Sequence, residues 1–359
     1  MFLTNESMAG IKSIGILTSG GDAPGMNAAI RAVTRSAIYN GFTVKGIMRG
    51  FKGLVFNEIV EFKSQSVSNI IQLGGTILKT ARSEEFKTVE GRKAAYDNMV
   101  AAGIDALVVI GGDGSLTGAG LFAEEYNVPI VGLPGTIDND LGGTDSTIGY
   151  DTALNTIMES VDKLRDTASS HERLFFVEVM GHKVGWLTLY AGISGGADVI
   201  LIPELPYDVD KVCKVLKKRK MQGKPFSILA VAEGAISKEE SKLSKKEFKA
   251  ARAQMKEPSV SYRLANEIAE RTGQEIRVTI PGHFQRGGSP CAYDRVLSTR
   301  FGTAAAELIA QKKFGYMVAI RNNLIVPVPL SEVAGKLKTV SPDCDEIRAA
   351  RDMGISLGD

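Results

Sequence analysis

Three times before residue 141 the chain runs from a strand-like apolar stretch straight into a turn of glycines and carboxylates. Ile14-Gly15-Ile16-Leu17-Thr18 enters Ser19-Gly20-Gly21-Asp22-Ala23-Pro24-Gly25, and Ala106–Ile110 enters Gly111-Gly112-Asp113-Gly114-Ser115. The third run, Val128–Leu133, enters Pro134-Gly135-Thr136-Ile137-Asp138-Asn139-Asp140. After the first turn, Ala29, Ile30, Val33 and Ala37 fall on one face of a helix expected from about Met26 to Tyr39, and a second helix begins after Ser115. Strand, tight turn and helix in that order build a parallel α/β sheet, with ligands outside the carboxyl ends of the strands.

Each turn has two readings. A glycine turn opening a helix offers free backbone N–H groups to an anion, and a lone carboxylate such as Asp113 can hold Mg²⁺ against a polyphosphate. Equally, Asp113 can simply cap its helix, and the Asx residues of 138–140 can simply make a turn. Further along, Thr80-Ala81-Arg82 sets a cation where a phosphate could meet it, or on a solvated surface. Pro281-Gly282-His283-Phe284-Gln285-Arg286-Gly287-Gly288 puts His and Arg among glycines, a pattern suited to clamping a phosphate monoester.

Between these motifs the alternation continues. Helices are expected near Ser68–Gln72, over Glu90–Ala102, Thr152–Ser170 and Val260–Thr272, and from about Ala292 to Gln311. Strands are expected at Thr43–Met48, Leu174–Val179, Ala197–Glu204, Ser227–Ala232 and Glu275–Ile280, with a short pair and a polar tail at the end. From Ser237 to Pro258 the chain turns to Lys, Glu, Ser, Arg and Ala, which reads as a surface insertion.

Composition excludes some classes. Lys plus Arg is 43 against 41 acids, a net charge of only +2, which argues against a protein held to nucleic acid by bulk charge. Cys213, Cys291 and Cys344 form no CxxC or Cys/His cluster, so neither zinc nor a disulfide framework is expected and a reducing cytoplasm is the simplest compartment. Met1–Gly10 lacks the basic and apolar regions of a signal peptide, and no run of about 18 apolar residues suggests a membrane helix.

Taken in order, Gly20–Asn27, Gly111–Ser115, Gly135–Asp140 and Gly282–Gly288 closely resemble the 6-phosphofructokinase family, over about Ile14 to Gly315. The resemblance implies two Rossmann-like three-layer α/β domains with the active site in the cleft between them. The ATP-binding domain would take 1–148 plus 285–335, and the sugar-phosphate domain 149–284 plus 336–359. It also implies transfer of the γ-phosphoryl of Mg²⁺·ATP to the 1-hydroxyl of fructose 6-phosphate. By position, Gly21, Arg82, Ser83, Gly112, Asp113, Gly114 and Ser115 would hold ATP, with Asp113 on the metal and Asp138 as general base. Thr136, Ile137, Met180, Gly181, His182 and Glu233 would hold the sugar phosphate together with His283, Phe284, Gln285 and Arg286. Arg173 and Arg277 would come from a neighbouring subunit of a homo-oligomer, a tetramer or a dimer. Partners would be these small molecules, with no nucleic acid and no membrane.

The resemblance has departures. Met180-Gly181-His182 has an imidazole where the family has a guanidinium, with Lys183 beside it. The insertion at 237–258 resembles that of the longer bacterial branch, not the short, strongly regulated enzymes. At the family's effector site Arg31, Arg35 and Arg165 match, whereas Asp198 replaces a Glu and Ser64 replaces an Arg. In the family, pyrophosphate users carry Asp at Gly114 and Lys at Gly135, so ATP is the donor expected here. Lipid or NAD kinases share only the Gly-Gly-Asp-Gly turn, and a dehydrogenase would need a GxGxxG that is not present. A non-catalytic sugar-phosphate sensor would keep the clamp but could dispense with Asp113 or Asp138.

Overall fold

The computed structural model describes residues 10–171, 173–224 and 226–359, so the leader reading falls outside it except for Gly10. In chain order the elements begin β1 Ser13–Ser19, α1 Met26–Tyr39, β2 Thr43–Ile47, α2 Gly50–Val55, β3 Ile59–Phe62, α3 Val89–Ala101, β4 Ala106–Gly111, α4 Asp113–Tyr126 and β5 Ile130–Pro134. Then come α5 Tyr150–His171, β6 Leu174–Val179, α6 Trp186–Ser194, β7 Val199–Leu201, α7 Val209–Met221, β8 Ser227–Ala232, α8 Lys245–Ala253, α9 Val260–Thr272 and β9 Ile276–Thr279. The series closes with α10 Ala292–Ala310, β10 Tyr316–Arg321, β11 Leu324–Pro329, α11 Leu330–Val333 and α12 Asp345–Asp352. Two compact units result: one runs to Thr152 and resumes over Arg286–Lys338, the other takes Ala153–Gln285 and Thr339–Asp359.

The first unit holds a seven-stranded sheet in the order β11-β10-β5-β4-β1-β2-β3. Its five inner strands are parallel, while β3 and β11 are antiparallel edges. Every residue of β1, β4 and β5 is buried, the unbroken apolar run of strands covered on both faces. On one face α2, α3, α4 and α11 send Phe51, Leu54, Met99, Phe122 and Val333 into a core with Leu17, Leu107 and Val109. On the other α1 packs on α10, so closely that a Cβ on Gly302 would lie 2.6 Å from Ala32 Cβ. Strand order reverses between β1 and β4, where an open α/β sheet has its ligand crevice.

A four-stranded parallel sheet, β7-β8-β6-β9, forms the second unit. Side chains from α7 and α9, among them Val212, Leu216, Leu264 and Ile268, pack on Phe176, Leu229 and Val231. The C-terminal segment belongs to this unit: Val340, Ile347, Ile355 and Leu357 are buried, and Ile200 N–H donates to the Ser356 carbonyl at 2.8 Å. The tail is thus structural, not merely polar.

Several expectations change. Ser68–Gln72 is not helical: Ser64–Val67 makes one 3₁₀ turn and irregular turns follow. The sequence reading passed over α2 and β3, both short and α2 rich in glycine. The strand expected over Ala197–Glu204 shortens to Val199–Leu201, before Pro203. The insertion does carry an exposed helix, α8, with no buried residue, yet it is anchored by a buried carboxylate, Glu240. Among the described residues no helix is long and apolar enough to cross a membrane.

Candidate active site

Strand register aligns the three glycine turns of the first unit. Ser19 pairs with Gly111, and Gly111 with Pro134, so β1, β4 and β5 end at one level and release their turns side by side. At the β1 turn Gly20 has φ 89, a conformation glycine adopts freely, and its carbonyl accepts from Thr80 Oγ1 at 2.7 Å. That bond fixes the segment bearing Arg82, which is exposed. Ser83 is occupied locally, donating to Glu85 and accepting from Phe86 N–H at 3.2 Å. Gly21 faces Arg286: a Cβ there would lie 2.7 Å from Arg286 Nη1, and Nη1 itself donates to the Asp22 carbonyl at 3.3 Å.

At the β4 turn Gly112 is the N-cap of α4 and Asp113 its first residue, so the carboxylate is not the cap but sits in the first turn, against the helix's positive end. Asp113 Oδ1 accepts from Gly335 N–H at 2.7 Å, a partner 222 residues away that no local pattern signals. A Cβ on Gly114 would meet nothing within 4 Å, whereas Ser115 is buried. One half-buried carboxylate at the mouth of a glycine turn suits Mg²⁺, which keeps several waters and takes only one or two protein carboxylates beside substrate phosphates. Among the described residues no cluster of three or more His, Cys, Asp or Glu could cage a metal unaided.

At the β5 turn Gly135 N–H donates to the Gly111 carbonyl at 2.9 Å. A Cβ on Gly135 would be 3.0 Å from both Ile110 and Met26, so a longer side chain has little room. Thr136 Oγ1 accepts from Asp138 N–H at 3.2 Å, and the Thr136 carbonyl accepts from Thr147 Oγ1 at 2.6 Å. Asn139 turns the chain at φ 50 and donates to the Asp145 carbonyl at 3.3 Å. This frame presents Thr136 and Asp138 half-exposed but buries Ile137 in the core, so the Ile137 side chain is an anchor and not a ligand contact.

The second unit gathers Met180, Gly181, His182, Glu233, His283, Phe284 and Gln285 at its own carboxyl edge. Val179 pairs with Ala232, so Met180-Gly181-His182 and Glu233 leave β6 and β8 together; β9, beside β6, leads to the 3₁₀ turn Gly282–Arg286. Gly181, at φ 126, donates to Glu233 Oε1 at 3.4 Å. His182, His283 and Phe284 are exposed. Gln285 departs from the sequence reading: its side chain is buried and bonded to Met180 N–H and the Gly282 carbonyl, so it braces the turn where a contact was expected.

Arg173 and Arg277 do come together, on one carboxylate. Glu275 accepts from Arg173 Nε at 2.7 Å and pairs with Arg277, whose side chain is 54% exposed on the edge strand β9. Arg165 and Asp198, two of the residues matched to the family's effector site, are engaged internally in the second unit. Arg165 donates to the Gly195 and Gly196 carbonyls at 2.5 and 2.6 Å, while Asp198 pairs with Arg219 at 2.7 Å and accepts from Ile228 N–H at 3.0 Å. Burial raises the Asp198 carboxyl above its ordinary range despite these partners.

Glycine turns aligned on one sheet and a His–Arg turn at the end of another are the equipment of a protein that handles phosphate esters. The sequence model of the phosphofructokinase family matches residues 13–309. ATP-dependent 6-phosphofructokinase 2 of Bacteroides thetaiotaomicron is 56% identical over 338 residues, 94% of this chain and 97% of its own. The ATP-dependent 6-phosphofructokinase of Halothermothrix orenii is 50% identical, over 93% and 97%. Among solved structures, Pichia pastoris phosphofructokinase superposes with a TM-score of 0.80 at 40% identity, over 96% of this chain and 37% of that one. The pyrophosphate-dependent phosphofructokinase of Marinobacter aquaeolei shares the fold, with a TM-score of 0.78 at 21% identity over 97% and 88%. The chain belongs to the phosphofructokinase family.

Proposed function

We propose that this chain is an ATP-dependent 6-phosphofructokinase of glycolysis, which makes fructose 1,6-bisphosphate and ADP in the cytoplasm. The observation that carries the reading is the register that sets the Asp113 and Asp138 turns side by side, in a chain 56% identical to a relative named for that activity. In the roles we assign, the first unit's glycine turns, with Arg82 and Ser83, receive the ATP phosphates through backbone N–H groups and positive charge. Asp113 would hold Mg²⁺, which supplies charge neutralisation on the phosphates. Asp138 accepts the proton of the sugar's 1-hydroxyl as that oxygen bonds to the γ-phosphorus and the bond from γ-phosphorus to the β-bridging oxygen breaks, releasing ADP. Thr136 keeps Asp138 in place through its backbone N–H. Met180, Gly181, Glu233, His283 and Arg286 bind the sugar phosphate, with His182 beside them. Little covalent work falls to the protein, and positioning with charge stabilisation carries the rate.

Donor choice follows from two glycines. Open space at Gly114 suits a nucleoside triphosphate, and crowding at Gly135 disfavours the lysine of pyrophosphate users. Initial rates with fructose 6-phosphate and Mg²⁺ should be high with ATP and poor with pyrophosphate; comparable rates would overturn the donor assignment. Replacing Asp138 by Ala should lower kcat by about 10²–10⁴, the contribution of a positioned general base, with a much smaller change in sugar-phosphate affinity. A near wild-type kcat in that variant would remove Asp138 from the role.

The active enzyme is a homo-oligomer, a tetramer in our reading, in which Arg173 and Arg277 serve the neighbouring subunit's sugar-phosphate site. The exposure of Arg277 on an edge strand and the carboxylate it shares with half-buried Arg173 support this, since Glu275 can hold both cations in place until a phosphate dianion takes them.

A further inference from the structure

The turn Gly282–Arg286 has one inward-facing member. Gln285 is 1% exposed, while Phe284 next to it is 73% exposed and His283 is open to solvent. Both ends of its amide are used: Oε1 accepts from Met180 N–H at 3.0 Å, and Nε2 donates to the Gly282 carbonyl at 3.1 Å. Met180 is the first residue after β6, and Gly282 opens the turn that follows β9. The ladder between those strands closes at Val177–Thr279, so beyond it the Gln285 amide ties one departing turn to the other. An amide meets this demand with one side chain. Met180 offers a donor and Gly282 an acceptor, whereas a carboxylate can only accept and a thioether does neither well.

We propose that Gln285 is a positioning residue for the sugar phosphate: it holds the Met180–Gly181 turn and the His283–Arg286 turn in one register, so a single ligand meets both. The inference rests on reading those turns as the sugar-phosphate site. It separates Gln285 from its neighbours, which reach the ligand themselves, and gives it effect on fructose 6-phosphate but not on ATP.

The test is Gln285→Met in the full chain, nearly isosteric and unable to make either bond. KM for fructose 6-phosphate should rise about tenfold or more, the scale of a lost hydrogen bond that leaves its partners unpaired, while KM for ATP stays within about twofold. A merely structural role would lower the melting temperature and the yield of active enzyme but leave the sugar-phosphate KM of the folded fraction at the wild-type value. That result, or an equal rise in both KM values, overturns the proposal. Should this variant not fold, Gln285→Asn keeps the amide and gives up its reach; an unchanged sugar-phosphate KM there overturns the proposal equally. If wild-type enzyme does not saturate with fructose 6-phosphate, the reading of the site falls and this inference with it, an outcome distinct from an active wild type with an indifferent variant.

Discussion

Arg286 lies against a position where only glycine leaves it room. With a Cβ at residue 21 only 2.7 Å from Arg286 Nη1, Gly21→Ala must push the guanidinium aside. The displaced group is the flexible end of a long side chain, so the fold should survive and the loss should appear in binding. KM for fructose 6-phosphate is expected to rise about tenfold, as for one charge-assisted bond weakened, with the melting temperature nearly unchanged. Titrating both substrates and melting the variant checks this; a rise confined to ATP would leave Gly21 acting on the nucleotide alone. At this scale the sequence was legible where local chemistry decides: Gly112, Asp113, Thr136 and Asp138 lie where a strand-to-turn pattern puts them. Gln285 and Ile137 were not, because which residues of a polar turn point inward depends on strands far away in the chain. Gly335, which donates to Asp113, gives no local signal at all.

Secondary-structure elements divide the same way. Long periodic stretches such as α1, α5 and α9 announce themselves, since burial repeats every turn. The short α2 does not: a six-residue helix containing two glycines has weak intrinsic preference, and it requires glycine at 53, where a Cβ would lie 1.6 Å from the Met48 carbonyl. The insertion misleads in the opposite sense, because its charge is not all solvated. Glu240 accepts from Arg263 Nη1 at 2.7 Å and Ser237 N–H at 2.9 Å and pairs with Arg252 at 2.9 Å, while Arg252 donates to the Ala235 carbonyl at 2.6 Å and lies under the Phe248 ring. Burial alone would raise the Glu240 carboxyl, but Arg263, the Ser237 N–H and Arg252 together outweigh it and hold the group below the usual glutamate range. A depressed folded-state value means stability that is complete above the unfolded glutamate's titration, near pH 4–5, and is lost as pH falls through the lower folded value. Glu240→Ala, which leaves two arginines facing each other, should cost about 2–4 kcal/mol at pH 7, less than a fully buried pair because Arg263 is partly exposed. Denaturant melts from pH 7 down to about pH 3 should show the gap between wild type and variant closing with acid. A gap independent of pH would mean that lost packing, not charge, is responsible.

At the level of the whole molecule, the assembly prediction is the sharpest. If the site is shared between subunits as proposed, Arg277→Ala and Asp138→Ala should each be nearly inactive, yet mixed under conditions that exchange subunits they should regain activity, since a hybrid would combine Asp138 from one chain with Arg277 from another. Confirmed hybrids without activity would confine Arg277 to its own subunit. The chain also passes between its two units at Thr152–Ala153, at Gln285–Arg286 and at Lys338–Thr339, so neither unit is a continuous stretch. This has a consequence for biosynthesis. In the first sheet β5 is flanked by β4 on one side and β10 on the other, and β10 lies beyond residue 315. A ribosome adding roughly 5–20 residues per second therefore needs about 10–40 s after finishing β5 before it supplies the strand that covers it. Throughout that interval the nascent polypeptide carries Ile130, Val131 and Leu133 on an unpaired apolar edge, the kind of surface that recruits other chains. Slow translation, or a ribosome stalled before residue 316, should therefore yield aggregates seeded at β5, and holding that edge is work for a chaperone.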